Sequence, residues 1–429
     1  MVRHNDVREL LIGSGLSFSV KIISAIITFM MHIKLARVLG PKEAGLFFLG
    51  LTIVTLVSSF GQLGLKNSLV RFVARDSEVG NWELVRAVYR KSIFWSGLFC
   101  LFILLIFQLN VSWLVDRYSN QAGFEQVIMV ISYSIPLVAL YTLCAHSLQG
   151  LKKVVKAMIT LNLVVPLTLL SALIFFPVYK AADMAYVYSV ASAIALLIGS
   201  VWWFWSIPPT HKTAKFSSKL LLNSSLPLWG VMVLNQLINW SSQLIIGYSG
   251  SSEDVALFTV AQRTAMLAGF VLIAVNAIAA PKFAVKYSQG DMVGLRKVAI
   301  WSVRLMLLIA LPILLFMLFF PEWLMGLFGE DYRIAAKVLT ILALGQFVNI
   351  VSGSVGFLLT MTGHEQELYS NVFISAVLAI GLGIWLIPSY GILGGAIATA
   401  VAMAIQNLLG VFKVRRLLGF NTLVFWQKV

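Results

Sequence analysis

The sequence predicts an all-α polytopic membrane protein: about twelve transmembrane helices in two pseudo-symmetric six-helix bundles around a central cavity. Three observations lead there. The 429 residues are 59% hydrophobic and 11% charged, with a mean hydropathy of +0.91, whereas a soluble domain carries about a quarter charged residues. Apolar runs of about twenty residues, each long enough to cross a bilayer, recur from end to end. The second half of the chain also repeats the pattern of the first. The composition alone excludes an ordinary soluble enzyme and a disordered chain.

Taken in order, the apolar periodicity places spans at 10–38, 44–65, 92–110, 126–148, 157–178, 184–206, 223–247, 254–281, 298–320, 334–361, 368–388 and 391–412. The first run is too long for a cleavable signal and follows Asp6 and Glu9. Segment 71–91 alternates basic residues with Val, Trp and Leu and reads as an interfacial helix. The stretch 207–222, with Pro208-Pro209 and three lysines, is the clearest linker and falls near the midpoint. It divides the chain into an N-terminal six-helix lobe (1–206) and a C-terminal one (223–429).

The net charge of +15 is distributed by side. An even number of spans puts both termini on one side, and 22 of the 32 Lys and Arg fall in segments of that side. Seven fall opposite, and Lys21, Arg263 and Arg304 lie within spans. Nucleic-acid binding could also call for such an excess, but this asymmetry is a topology signal. By the positive-inside rule both termini are cytoplasmic. Cys100 and Cys144 lie in apolar runs and read as small core residues, not as a disulfide or metal site.

A shift of 211 residues aligns Glu43-Ala44-Gly45-Leu46-Phe47 with Asp254-Val255-Ala256-Leu257-Phe258, and Arg71-Phe72-Val73-Ala74 with Lys282-Phe283-Ala284-Val285. It also pairs Pro177 with Pro388 and Ala185 with Ala396. Near-offsets pair Trp113-Leu114 with Trp323-Leu324, and Gln149-Gly150 with Thr362-Gly363. With six spans per half the repeats are parallel, the arrangement of transporters that rock between inward-open and outward-open states.

None of the seventeen acids lies deep within a span. A buried cation costs about 3 kcal/mol at the bilayer centre even on the mild insertion scale, so water or an anionic ligand must offset it. Helical phase places Ser14, Ser17, Lys21, Ser24, Thr28 and His32 on one stripe of span one. Span two repeats this with Thr52, Thr55, Ser59, Gln62 and Lys66. The C-terminal half contributes Asn235 and Asn239, then Gln262, Arg263 and Asn276, then Gln346 and Asn349. Lys21 lies about twelve residues, or ~18 Å, into its helix, so it and Arg263 are the foremost cavity cations, with Lys66 and Arg304 behind them. A blander reading competes: Ser and Thr also line ordinary helix contacts in membranes, and Lys66 and Arg304 stand near helix ends from which they can snorkel. His32 and His146 read as packing residues. The five histidines are isolated from one another and from acids, so no catalytic or metal constellation is expected. No Walker loop is present.

The segments LARVLGPKEAGLF (35–47), LVRFVAR (69–75), LFGEDYRIAAKVLTILALGQFVN (327–349) and PSYGILGGAIATAVA (388–402) resemble the polysaccharide transporter family. Its members are the Wzx-type flippases of O-antigen and exopolysaccharide repeat units, within the multidrug/oligosaccharidyl-lipid/polysaccharide exporter superfamily. The resemblance implies twelve helices in two lobes, a bacterial inner membrane and no cofactor. It implies a substrate of undecaprenyl diphosphate bearing a short oligosaccharide, whose diphosphate would meet Lys21 and Arg263, with Lys66 and Arg304 as further cations. Ser17, Ser24, Thr28, Gln62, Asn235, Asn239, Gln262, Asn276, Gln346 and Asn349 would form the polar lining that meets the sugars. H⁺ or Na⁺ are candidate coupling ions, other polysaccharide-assembly membrane proteins are candidate partners, and no nucleic acid is implied. A cation-coupled drug exporter of the same superfamily is the main alternative, disfavoured by the acid-free interior. A membrane glycan ligase or polymerase would need a sizeable external loop or an acid/base pair near the interface.

Overall fold

The computed structural model describes residues 4–118, 123–209, 214, 216–424 and 426, without the side chains at 4–18, 114, 116–118, 227, 228 and 231. The described residues form helices joined by short turns and connecting segments, with no strand among them. The helices are α1 (His4–Gly61), α2 (Leu65–Glu78), α3 (Trp82–Leu109), α4 (Val111–Tyr118), α5 (Phe124–Ile131), α6 (Ser134–Gly150), α7 (Val154–Met158), α8 (Val164–Phe175) and α9 (Ala181–Ser206). They continue as α10 (Ser218–Ser249), α11 (Ser252–Met266), α12 (Phe270–Ser288), α13 (Met292–Phe319), α14 (Pro321–Gly326), α15 (Ala336–Ser352), α16 (Val355–Met361) and α17 (Glu365–Leu418). Nine stretches of the described residues are long and apolar enough to cross a membrane. Two of these hold two spans each, because α1 is broken at Gly40 and α17 at Gly391, both with positive φ. With the 32-residue α10 the crossings among the described residues number twelve. This is an integral membrane protein.

The chain forms two compact units, Met1–Val233 and Leu234–Val429. Helix α10 begins before the expected end of the linker, and its first turns belong to the first unit. The expected interfacial helix over 71–91 is instead a helix–turn–helix. Gly80 takes φ +72, which stops α2, and Asn81 restarts the chain by accepting the Leu84 N–H at 3.3 Å. A side-chain oxygen at that position satisfies an otherwise orphaned helix donor.

The internal repeat is visible in the hydrogen bonds. Gly290 takes φ +70, and Asp291 accepts the Gly294 N–H at 2.7 Å, as Gly80 and Asn81 do 210 residues earlier. The Lys286 ammonium, 2.7 Å from Asp291, holds that carboxyl below the usual carboxylate range, with the Gly294 N–H adding to the effect. The turns after α6 and α16 also match. Lys153 N–H reaches Leu148 C=O at 2.9 Å, and His364 N–H reaches Leu359 C=O at 2.8 Å. The residue just before each donor, Lys152 or Gly363, has positive φ. These two are 211 positions apart, so the structure replaces the near-offset pairing of Gln149-Gly150 with Thr362-Gly363. The expected partners Phe47 and Phe258 are both fully buried, as is Phe283, while its partner Phe72 is 4% exposed.

Each unit has its own core. In the first, Leu65, Phe72, Val85, Val88, Leu148 and Trp203 cluster; in the second, Phe283, Leu295, Ala299, Leu358, Leu359 and Val414 do so. The outer faces stay apolar and exposed, as Leu98, Leu101, Phe102 and Leu105 of α3 show, which suits helices bathed in lipid. Cys100 and Cys144 are buried and free, the expected core thiols.

The repeats diverge where helices break. In the second unit α15 stops at Gly353, whose φ is +75 and where an added Cβ would lie 2.4 Å from Val303 Cγ2. Gly391 has φ +54 but open space around it. Gly353→Ala is therefore expected to destabilise the protein more than Gly391→Ala, each costing about 1–3 kcal/mol in backbone strain and only the first adding a clash. Thermal melts of the two variants in detergent check the order; equal melting temperatures would contradict it.

Candidate functional site

The polar residues expected to line a path meet most closely in the second unit. Helices α10, α11, α15 and α17 enclose a cavity of about 20 Å³, room for about one water molecule. Asn239, Gln262, Gln346 and Thr399 supply its polar wall, and Ile238, Met266, Leu342 and Met403 its apolar wall. Gln262 donates through Nε2 to the Asn239 carbonyl at 3.0 Å. Its Oε1 is buried and has no hydrogen-bond partner among the described residues, in a residue only 3% exposed. Leaving a buried acceptor unpaired costs about 1–3 kcal/mol, so the fold tolerates an open acceptor here. Asn349 donates to Gln346 Oε1 at 3.2 Å, which fixes the amide that faces the cavity. Gly269 lies in the 3₁₀ turn Leu267–Gly269 that interrupts span eight, and an added Cβ would stand 3.7 Å from Gln346 Oε1. The chain is thus broken beside the cavity.

Helical phase separates two neighbours in sequence. Gln262 turns into the cavity, while the Arg263 guanidinium stacks over Trp240, 4.9 Å from the ring centroid. Trp240 is only 9% exposed, so this cation packs on a buried ring of its own unit. Arg304 also stacks on a tryptophan, but its partner Trp301 is 60% exposed. That arrangement suits a cation anchored on an outer face, and the structure does not bring Arg304 to the cavity. Asn276 is buried with an unpaired Oδ1 and lies outside the cavity wall. Asn235 accepts from Asn239 Nδ2 through its carbonyl at 2.8 Å and so supports the wall without forming it.

In the first unit many hydroxyls of the expected stripes bond to their own helix. Ser24 donates to Val20 C=O at 2.7 Å, Thr52 to Phe48 C=O at 2.9 Å, Thr55 to Leu51 C=O at 2.7 Å and Ser59 to Thr55 C=O at 2.8 Å. A hydroxyl that donates in this way keeps only acceptor capacity. His32 stacks on Phe48 and bonds through Nδ1 to the Thr28 carbonyl. Lys21 is half-buried on the same helix and makes no ion pair among the described residues; the Ser17 side chain lies outside them. Gln62 is buried at the end of α1, and Lys66 begins the separate helix α2 rather than ending span two.

Sequence reasoning missed Thr399, Met266 and Met403. Thr399 sits in a run of small residues with no polar periodicity, and only its 2.9 Å contact with Ser242 and its place on the cavity wall single it out. Among the described residues no group of three His, Cys, Asp or Glu could hold a metal ion.

A family model described as "Polysaccharide biosynthesis protein" matches residues 10–285, well over half the chain. The chain belongs to this family. It is a member of the polysaccharide transporter family of the exporter superfamily, and a second model, MatE, matches residues 227–385. It is 25% identical over 395 residues to the probable low-salt glycan biosynthesis flippase Agl15 of Haloferax volcanii, covering 91% of this chain and 80% of that one. It is 24% identical to the succinoglycan biosynthesis transport protein ExoT of Rhizobium meliloti, over 91% of this chain and 75% of that one. Among solved structures, the lipid II flippase MurJ in its inward closed conformation superposes with a TM-score of 0.78 at 16% identity, over 93% and 87% of the two chains. An inward-facing multidrug MATE transporter superposes with a TM-score of 0.76 at 14% identity, over 94% and 98%. The fold of this family member is therefore that of the two-lobed, twelve-helix transporters.

Proposed function

We propose that this family member is a flippase that carries polyprenyl-diphosphate-linked oligosaccharides across the cytoplasmic membrane by alternating access. O-antigen or exopolysaccharide repeat units on undecaprenyl diphosphate are the specific substrates. The observation that carries this reading is the chemistry inside the spans. Cations at Lys21 and Arg263 lie at membrane depth, the acids stand at helix ends and in loops, and the cavity at Gln262 offers uncharged amides. A diphosphate needs positive donors, and a sugar needs hydroxyl and amide partners. The relatives named for glycan flipping and succinoglycan transport support the same substrate class. Nothing in this chemistry calls for bond making or breaking, so the protein is read as a transporter and not an enzyme. The deciding experiment removes this gene alone. Lipid-linked oligosaccharide should accumulate in the cytoplasmic leaflet, and its normal appearance on the outer leaflet would refute the proposal.

On this reading the membrane is a bacterial inner membrane and both termini are cytoplasmic, the orientation that the distribution of Lys and Arg favours. The two native cysteines are buried and give a quiet background for labelling. Single cysteines replacing Lys180 or Ser251 are expected to react with an impermeant maleimide in intact cells, and one replacing Ser288 only after lysis. External labelling of the Ser288 variant would invert the topology.

A further inference from the structure

The end of span two carries a backbone break that nothing in the transport reading yet uses. Two successive residues there have positive φ: Leu63 at 49° and Gly64 at 68°. A leucine in the left-handed region is strained and persists only when its surroundings hold it. The surroundings are specific. Ser96 donates to the Gly61 carbonyl at 2.8 Å, and the Trp229 indole N–H donates to the Phe60 carbonyl at 3.2 Å. The Trp229 ring also meets Phe60 edge-on at 5.9 Å. These bonds satisfy carbonyls at the end of a helix that ends inside the protein.

Gly64 then presses against the first turns of α10. A Cβ there would lie 2.3 Å from Ser225 C=O and 2.9 Å from the Trp229 backbone nitrogen. One turn further along α2, Ser68 and Arg71 both bond to Ser224 Oγ, at 2.9 and 2.7 Å. All of these residues belong to the first unit. The part of α10 that follows the linker is thus clasped onto the break.

Lys66 stands two residues after Gly64, in the first turn of α2. It is half-buried and forms no ion pair among the described residues. His146, held through Nδ1 by Gln149 Oε1 at 3.0 Å, lies within electrostatic reach of it.

We propose that Trp229 is a positioning residue for Lys66: its indole and the α10 backbone at Ser225 hold the Leu63–Gly64 break so that the Lys66 ammonium is presented to the diphosphate of the incoming lipid. The inference rests on the flippase reading for the identity of that anion.

The test uses the purified full-length protein in detergent and reads the rate of Lys66 acylation by mass spectrometry, with exposed Lys297 as the reference site. Inorganic pyrophosphate is the probe. Trp229→Phe keeps an aromatic ring but removes the indole N–H along with the volume of the second ring; Gly64→Ala pushes α10 away through its backbone. Both variants are expected to change Lys66 acylation by at least about threefold, the scale of one lost hydrogen bond, with Lys297 unchanged. Pyrophosphate is expected to protect Lys66 in the wild-type protein and to protect it less in both variants. Wild-type acylation rates in both variants would overturn the inference, as would an equal change at Lys297, which would mean general loosening. If pyrophosphate fails to protect the wild-type protein, the headgroup reading of Lys66 falls, and the acylation rates still decide whether Trp229 positions it.

Discussion

The Lys21→Ala, Arg263→Ala double variant is expected to lose export of the surface polysaccharide almost completely while still reaching the membrane at wild-type levels. A charge-assisted hydrogen bond is worth about 1.5–3 kcal/mol, so each single variant should lose about tenfold or more in flipping rate. The two differ in stability. Lys21 makes no ion pair among the described residues, so its removal relieves a cost of burial and should leave the melting temperature unchanged or raised. Arg263 stacks on Trp240 at 4.9 Å, and its removal forfeits a cation–π contact of about 1–2 kcal/mol. Arg263→Lys separates charge from shape, because lysine lacks the planar fork that matches two phosphate oxygens. Retained activity would mean that charge suffices. Wild-type output from the double variant would sink the cationic reading and leave helix contacts and snorkelling in its place.

Gln262→Leu is expected to reduce flipping by about tenfold or more with little effect on stability. The substitution removes a buried unpaired acceptor, which costs about 1–3 kcal/mol, and one ordinary hydrogen bond, worth about 1 kcal/mol. These nearly cancel, and a leucine of similar volume fills the space. Flipping of lipid-linked glycan in proteoliposomes, measured beside the melting temperature, separates the outcomes. Unchanged flipping would make the open oxygen of Gln262 a packing accident. Asn276→Leu provides the contrast, since Asn276 has an unpaired oxygen but no place on the cavity wall.

How much of this was legible before any coordinates differs by element. Composition and run length give the membrane class and the crossings, because the bilayer imposes one length scale on every span. The repeat gives the two bundles, and the pairing of Phe47 with Phe258 and of Phe72 with Phe283 persists as buried residues in both units. A period of 3.6 also separates Gln262 from Arg263, since adjacent residues on a helix point about 100° apart. Periodicity describes one helix at a time, however, and cannot say which neighbour a face will meet.

That choice belongs to the packing of helices distant in sequence. It selects Asn239, Gln262 and Gln346 from the polar residues of the second half, and adds Thr399, which has no periodic signal. It leaves Asn276 off the wall and sets Arg304 against an exposed tryptophan. Local hydrogen bonding decided the rest. Ser24, Thr52, Thr55 and Ser59 form a clean stripe in the sequence, yet each donates to the carbonyl four residues back, because in lipid a hydroxyl takes the nearest available acceptor. The break at Leu63 was invisible for the converse reason. A leucine carries no preference for the left-handed region, and bonds from Ser96 and from Trp229, both distant along the chain, brace the carbonyls just before it.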